Sequence, residues 1–197
     1  GYEYARTGNP TRHAYEQCIA SLEGATHGFA FASGLAAEDV LLRHLKPGDH
    51  LLLGDDAYGG TFRLIDKVHA RAGLASSAVD LTDTESIRQA WTPSTRMVWF
   101  ETPTNPLLTV IDIEQVCSVV HELGGLTVVD NTFATPYLQQ PIGLGADAVV
   151  HSATKYLGGH SDMVGGVVAT SHEAIAEHVG FVQNAVGAVA GPFDSYL

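Results

Sequence analysis

Apolar positions come in short blocks whose period changes along the chain. GFAFA (28–32) is a strand-length apolar block. SGLAAEDVLLRHL (33–45) then repeats its apolar residues at helical spacing, with Ser33 placed as the cap. HLLLG (50–54) predicts the next strand. Tyr58-Gly59-Gly60 predicts a turn, and Phe62, Ile65 and Val68 share one face of a helix after it. Further strands are predicted at ASSAVDL (75–81), RMVWFE (96–101), LTVVD (126–130), DAVVHS (147–152) and VGGVVAT (164–170). Helices are predicted at TESIRQAW (84–91), DIEQVCSVVHELG (112–124) and from His172 onward. Ahead of all these, Asn9-Pro10 has the form of a capped helix start, and Gly24 closes that segment.

Strands and helices alternate almost throughout, and several strands are continuous apolar runs. That pattern predicts an α/β fold, a mainly parallel sheet with helices on both faces. No repeat, linker or low-complexity tract divides it, so residues 1–197 are expected to form one large domain. The first residue is Gly1, and the last residues, GPFDSYL, carry no terminal cap, so both ends are expected to be cut from a longer protein.

Composition adds mainly exclusions. With 45% hydrophobic and 16% charged residues the chain reads as globular. A formal net charge of −12 argues against nucleic acid and acidic membranes as partners, though local donors can still hold one phosphate. No apolar run is long enough to span a bilayer. Cys18 and Cys117 are expected to be small buried residues in a reducing compartment, which places the protein in the cytoplasm. The histidines show no metal-ligand spacing and no C-x-x-C is present, so no metal site is expected.

In open sheets of this kind ligands sit beyond the carboxyl ends of the strands. Lys155, after DAVVHS, stands beside Ser152, Thr154 and two glycines. It is either a solvated surface charge or an amine nucleophile able to form a Schiff base. Asp130 either caps the next segment or holds a ligand cation such as a protonated pyridine nitrogen. Ser33 and Gly34 either start an ordinary helix or offer backbone N–H groups to a phosphate. No G-x-G-x-x-G and no P-loop is present, which leaves nucleotide binding without support.

Six motifs in order change the weight of these alternatives: YARTGNPTR, FASGLAA, DDAYGGTFRL, ETPTNPLL, VVDNTF and HSATKYLGGHSD. Together they resemble the γ-family of pyridoxal-phosphate enzymes of sulfur amino-acid metabolism, from Tyr2 to Leu197. The resemblance implies pyridoxal 5'-phosphate as cofactor, with Lys155 as the lysine that bonds to it. Asp130 would pair with the pyridinium nitrogen, and Tyr58 would stack on the ring and assist proton traffic. The amides of Gly34 and Leu35 and the hydroxyls of Ser152 and Thr154 would hold the phosphate. Tyr4 and Arg6 would complete that phosphate site in a neighbouring subunit, and Asn105 would lie near the ring hydroxyl and the substrate. A homodimer is therefore the expected minimum and a tetramer of two dimers the expected assembly.

The resemblance also implies the chemistry. Small amino-acid substrates would react at the γ-carbon. Gly60 stands where methionine γ-lyases carry cysteine, and Arg63 suits a distal substrate carboxylate. The leading expectation is cystathionine γ-synthase activity, in which cysteine replaces the acyl group of an O-acyl-homoserine. Cystathionine γ-lyase and O-acyl-homoserine sulfhydrylase activities stand behind it, and a non-catalytic binding protein on the same fold is the rival from another class. Leu35 replaces a common methionine, which a backbone role tolerates. The family's small C-terminal domain, with its substrate-carboxylate arginine, is expected to lie outside this chain.

Overall fold

Seven strands hydrogen-bond in the order β1-β7-β6-β5-β4-β2-β3 in a computed structural model that describes all of residues 1–197. The strands are β1 (His27–Phe31), β2 (His50–Gly54), β3 (Ala75–Val79), β4 (Thr95–Glu101), β5 (Leu126–Asp130), β6 (Ala148–Ser152) and β7 (Gly166–Thr170). β7 runs antiparallel to both its neighbours, and every other pairing is parallel. The mainly parallel sheet expected from the apolar runs is what forms.

Alternate residues of the central strands feed two cores. Leu51 and Leu53 of β2, Met97 and Trp99 of β4 and Val128 of β5 join one cluster with Val40, Leu41 and Ile175. Leu52, Val98, Phe100 and Val129 point the other way, onto Ile87, Val116 and Val120. A strand buried on both faces has no polar side to show, which is why these segments read as unbroken apolar runs.

The helices are α1 (Pro10–Glu23), α2 (Gly34–Leu42), α3 (Gly59–Arg63), α4 (Thr84–Ala90), α5 (Ile113–Glu122), α6 (Thr135–Leu138), α7 (Glu173–Val186) and α8 (Pro192–Tyr196). α2 and α7 cover the first face, whereas α4 and α5 cover the second. The Asn9 side chain accepts the Thr11 and Arg12 N–H groups at the start of α1, and Gly24 ends it in the left-handed region. No helix is long and apolar enough to cross a membrane.

The strand expected at ASSAVDL forms as β3, an edge strand paired only with β2 and with its first four residues exposed. Two local expectations need correction. The helix through Phe62 and Val68 is broken into a short α3 and a π-helical Leu64–His69 turn. Cys18 is exposed on α1, while Cys117 is buried with its Sγ 3.5 Å from the Thr127 hydroxyl. An amphipathic surface helix has a solvent face, and Cys18 falls on it.

Candidate active site

Three neighbouring strands end side by side and deliver their last residues to one place: Glu101 from β4, Asp130 from β5 and Ser152 from β6. The N-terminus of α2 closes over the β6 end so tightly that a Cβ on Gly34 would lie 2.9 Å from the Ser152 Cβ. Only glycine permits that approach. Between these parts lies a cavity of about 200 Å³. Gly34, Leu35, Tyr58, Asn105, Asp130, Ser152, Thr154 and Lys155 all line it, as the sequence led us to expect.

The cavity has an anion end and a cation end. The Ser33 hydroxyl accepts the Ala36 N–H at 3.1 Å, and the Gly34 and Leu35 N–H groups have no intrahelical partner at the first turn. They face the cavity beside Ser152 and Thr154, a set of donors suited to a phosphate. The Thr154 hydroxyl also accepts the Gly165 N–H at 3.1 Å, which fixes the loop after β6.

At the other end Asp130 is 8% exposed and accepts the Thr132 N–H at 2.9 Å. Burial pushes its carboxyl up, against hydrogen bonding from Thr132 and the charge of His151. A buried carboxylate that is in no salt bridge suits a ligand that brings a cation. Glu101 is pushed up to about 7, again mainly by burial, and its Oε1 accepts the Asn105 N–H at 2.9 Å. That bond ties the loop carrying Asn105 to the end of β4. Tyr58, 43% exposed, stands at the head of α3, where a Cβ on Gly60 would come within 2.3 Å of its ring. Gly60 thus leaves room for the ring.

Three expected residues are not in this cavity. Arg63 is exposed at the end of α3. Arg6 donates to the Asn184 carbonyl, its Nε lies 3.4 Å from the Tyr4 hydroxyl, and its guanidinium sits over the Tyr4 ring at 5.1 Å. Both are exposed, and neither lines the chain's own cavity. His151, read as a structural histidine, is fully buried against Glu23, and Asn131 donates to the same carboxylate oxygen at 2.9 Å.

The cavity also holds residues the sequence motifs did not single out: Glu38, Thr132 and Phe133. Glu38 had a legible signal, because it lies one helical turn after Gly34 and shares its face. A larger cavity of about 380 Å³ lies next door with Asp55, Asp56 and Asp80, and shares only Glu101 with the first. It contains no lysine, arginine or helix N-terminus, so the paired anion and cation ends belong to the smaller one.

An α/β domain with a lysine, a buried aspartate and a phosphate cradle at its strand ends defines the class of a pyridoxal-phosphate-binding domain. The chain belongs to the family described as Cys/Met metabolism PLP-dependent enzyme, whose model matches residues 1–197. It is 57% identical over 196 residues to a cystathionine beta-lyase of Lactococcus lactis subsp. cremoris, covering 100% of this chain and 52% of that protein. It is 54% identical over 198 residues to a cystathionine gamma-synthase of Mycobacterium tuberculosis, covering 100% of this chain and 51% of the relative. Among solved structures, metB from Corynebacterium glutamicum superposes with a TM-score of 0.97 at 53% identity, covering 100% of this chain and 51% of that one. The chain spans about half the length of these relatives.

Proposed function

We propose that the protein is a transsulfuration enzyme that binds pyridoxal 5'-phosphate in the cavity between α2 and the ends of β4, β5 and β6. The observation that carries this reading is the convergence of Lys155, Asp130, Tyr58 and the α2 N-terminus on one cavity. These residues fit the cofactor: Asp130 would take the ring-nitrogen proton, Tyr58 would cover the ring, and Gly34, Leu35, Ser152 and Thr154 would hold the phosphate. When bound, the cofactor supplies an electron sink next to the substrate α-carbon. Lys155 would hold the cofactor, and its Nζ would serve as the general base that takes the α-proton and returns it further along the substrate. Glu101, through the Asn105 N–H, keeps the loop beside the substrate in place.

Within the family the leading reading is γ-synthase: cysteine displaces the acyl group of an O-acyl-homoserine and gives cystathionine. The similarity to a protein named cystathionine beta-lyase favours a second reading, cleavage of cystathionine to homocysteine, pyruvate and ammonia. The same Lys155 proton transfers serve both, so this half of the site does not separate them. Incubating the full-length protein with O-succinylhomoserine plus cysteine, and separately with cystathionine, tests the choice. Cystathionine from the first mixture supports the synthase. Pyruvate with homocysteine from the second supports the β-lyase, and 2-oxobutanoate with cysteine a γ-lyase. No product from either would remove the transsulfuration reading.

A further inference from the structure

Glu38 is an acid in a place that already has two. It is 4% exposed, lines the cavity with Asp130 and Glu101, and its Oε2 has no hydrogen-bond partner. A buried carboxylate without a partner is costly when charged, and far less so when it carries a proton it can donate. We propose that Glu38 is a further residue of the cofactor pocket, a proton-bearing carboxyl that must stay neutral for the cofactor to bind. This rests on the pyridoxal-phosphate reading of the cavity.

The charge count supports it. The ring nitrogen of the cofactor is a cationic position that Asp130 is placed to answer. Glu38 makes no salt bridge and its Oε2 has no partner, so as a further buried carboxylate it would have no cation of its own. One turn earlier on the same helix face stand Gly34 and Leu35, where the phosphate would sit, so an ionised Glu38 would also face a dianion. The cofactor would seal it from water as well. Burial and two ionisable groups of the cavity act on it in known directions. Asp130 from β5 and Glu101 from β4 both raise its pKa, burial raises it most, and the Thr61 hydroxyl of α3 opposes them. The outcome is a carboxyl pushed up to about 8. Lys155 is the cavity's one cation and is the residue engaged by the cofactor; Tyr58 is the remaining ionisable neighbour. His69 and His178 reach α2 through Asp39 and the Val40 carbonyl.

If only the protonated form accepts the cofactor, the dissociation constant rises by about tenfold per pH unit above the cofactor-free pKa. Glutamine keeps the shape and a donor but cannot ionise. The test is a spectroscopic titration of the full-length apoprotein with pyridoxal phosphate from about pH 6.5 to about pH 9.5, for wild type and Glu38→Gln. The expected result is similar affinity at neutral pH and a wild-type to variant ratio that opens with alkalinity, toward about tenfold one unit above the midpoint. Titrations of Lys155 and the cofactor itself are common to both proteins and cancel in the ratio. Parallel profiles would overturn the inference. Absence of any visible band in either protein would instead overturn the cofactor reading on which it rests. If Glu38→Gln does not fold, infrared difference spectra of the wild type at about pH 9 decide the matter. Growth of a protonated-carboxyl stretch on cofactor binding is expected, and no growth refutes the proposal.

Discussion

At the residue scale, Asp130 owes its chemistry to the burial of the strand it ends. In LTVVD the preceding valines go to opposite cores, which leaves the aspartate as the first polar group at the rim. Its carboxylate is already fixed by the Thr132 N–H before any ligand arrives. On the proposed reading, replacing it with alanine removes the ring-nitrogen partner but no phosphate donor. Turnover of Asp130→Ala is therefore expected to fall by a factor on the order of 100 or more, with a much smaller loss of cofactor occupancy. Steady-state kinetics beside absorbance of the purified variant measure the two losses. Equal losses would make the aspartate structural.

The buried acids also set how the apoprotein responds to pH. Glu38 and Glu101 ordinarily titrate near 4.5 and here are raised to about 8 and about 7. An acid whose folded pKa is raised contributes stability that is present below the unfolded value and is lost as pH rises toward the folded one. The cofactor-free protein is thus expected to lose stability between about pH 4.5 and about pH 8, most of it through the more buried Glu38. Glu38→Gln should raise the melting temperature at the alkaline end and leave the acid end unchanged. Each ~1 kcal/mol recovered moves the melting temperature by roughly 2–4 °C in a domain of this size. A thermal scan series across pH with equal shifts at both ends would contradict the assignment.

At the scale of elements, the sequence shows which segments exist better than where they stop. The Asn9 and Ser33 caps are local chemistry, a side-chain oxygen meeting N–H groups two or three residues on, and they sit where the residues predicted. β3 forms where its residues predicted, but its place at the sheet edge is a property of strand order that no local pattern carries. The same holds for Glu38, a plain polar position in a helix until the ends of β4 and β5 come beside it. α2 makes a prediction of its own. In Gly34→Ala the added carbon would meet the Ser152 Cα at 3.0 Å and Cβ at 2.9 Å, and backbone cannot step aside as a flexible side chain would. We expect destabilisation of about 1–3 kcal/mol and cofactor affinity at least tenfold weaker, about 1.4 kcal/mol. Denaturant unfolding and cofactor titration check both, and wild-type affinity would show that α2 can shift without harm to the site.

At the scale of the whole molecule, Tyr4 and Arg6 stand outside the cavity proposed for the cofactor. Both lie exposed on the segment before α1, where Arg6 donates to the Asn184 carbonyl near the end of α7. The resemblance places them on a neighbour's phosphate, and we propose a shared site of that kind in a dimer. Arg6→Ala and Lys155→Ala should each be inactive as full-length proteins. After subunit exchange a hybrid dimer holds one site with both defects and one with neither, so activity should approach about a quarter of wild type. No recovery despite confirmed exchange would place Arg6 outside any neighbour's site.

The central claim is that this cavity holds the cofactor through Lys155. The chain has three lysines: Lys46 lines a groove with Phe181 and Val186, and Lys67 pairs with Asp66 at 2.6 Å. Only Lys155 lines the cavity that Asp130 lines. The most direct measurement is the visible absorption spectrum of Lys155→Ala, purified with pyridoxal phosphate and checked for folding by circular dichroism. The account predicts a folded protein in which the wild type's lysine-dependent visible band is gone and borohydride no longer fixes the cofactor to the chain. An unchanged band, or reductive fixation at Lys46 or Lys67, would contradict it.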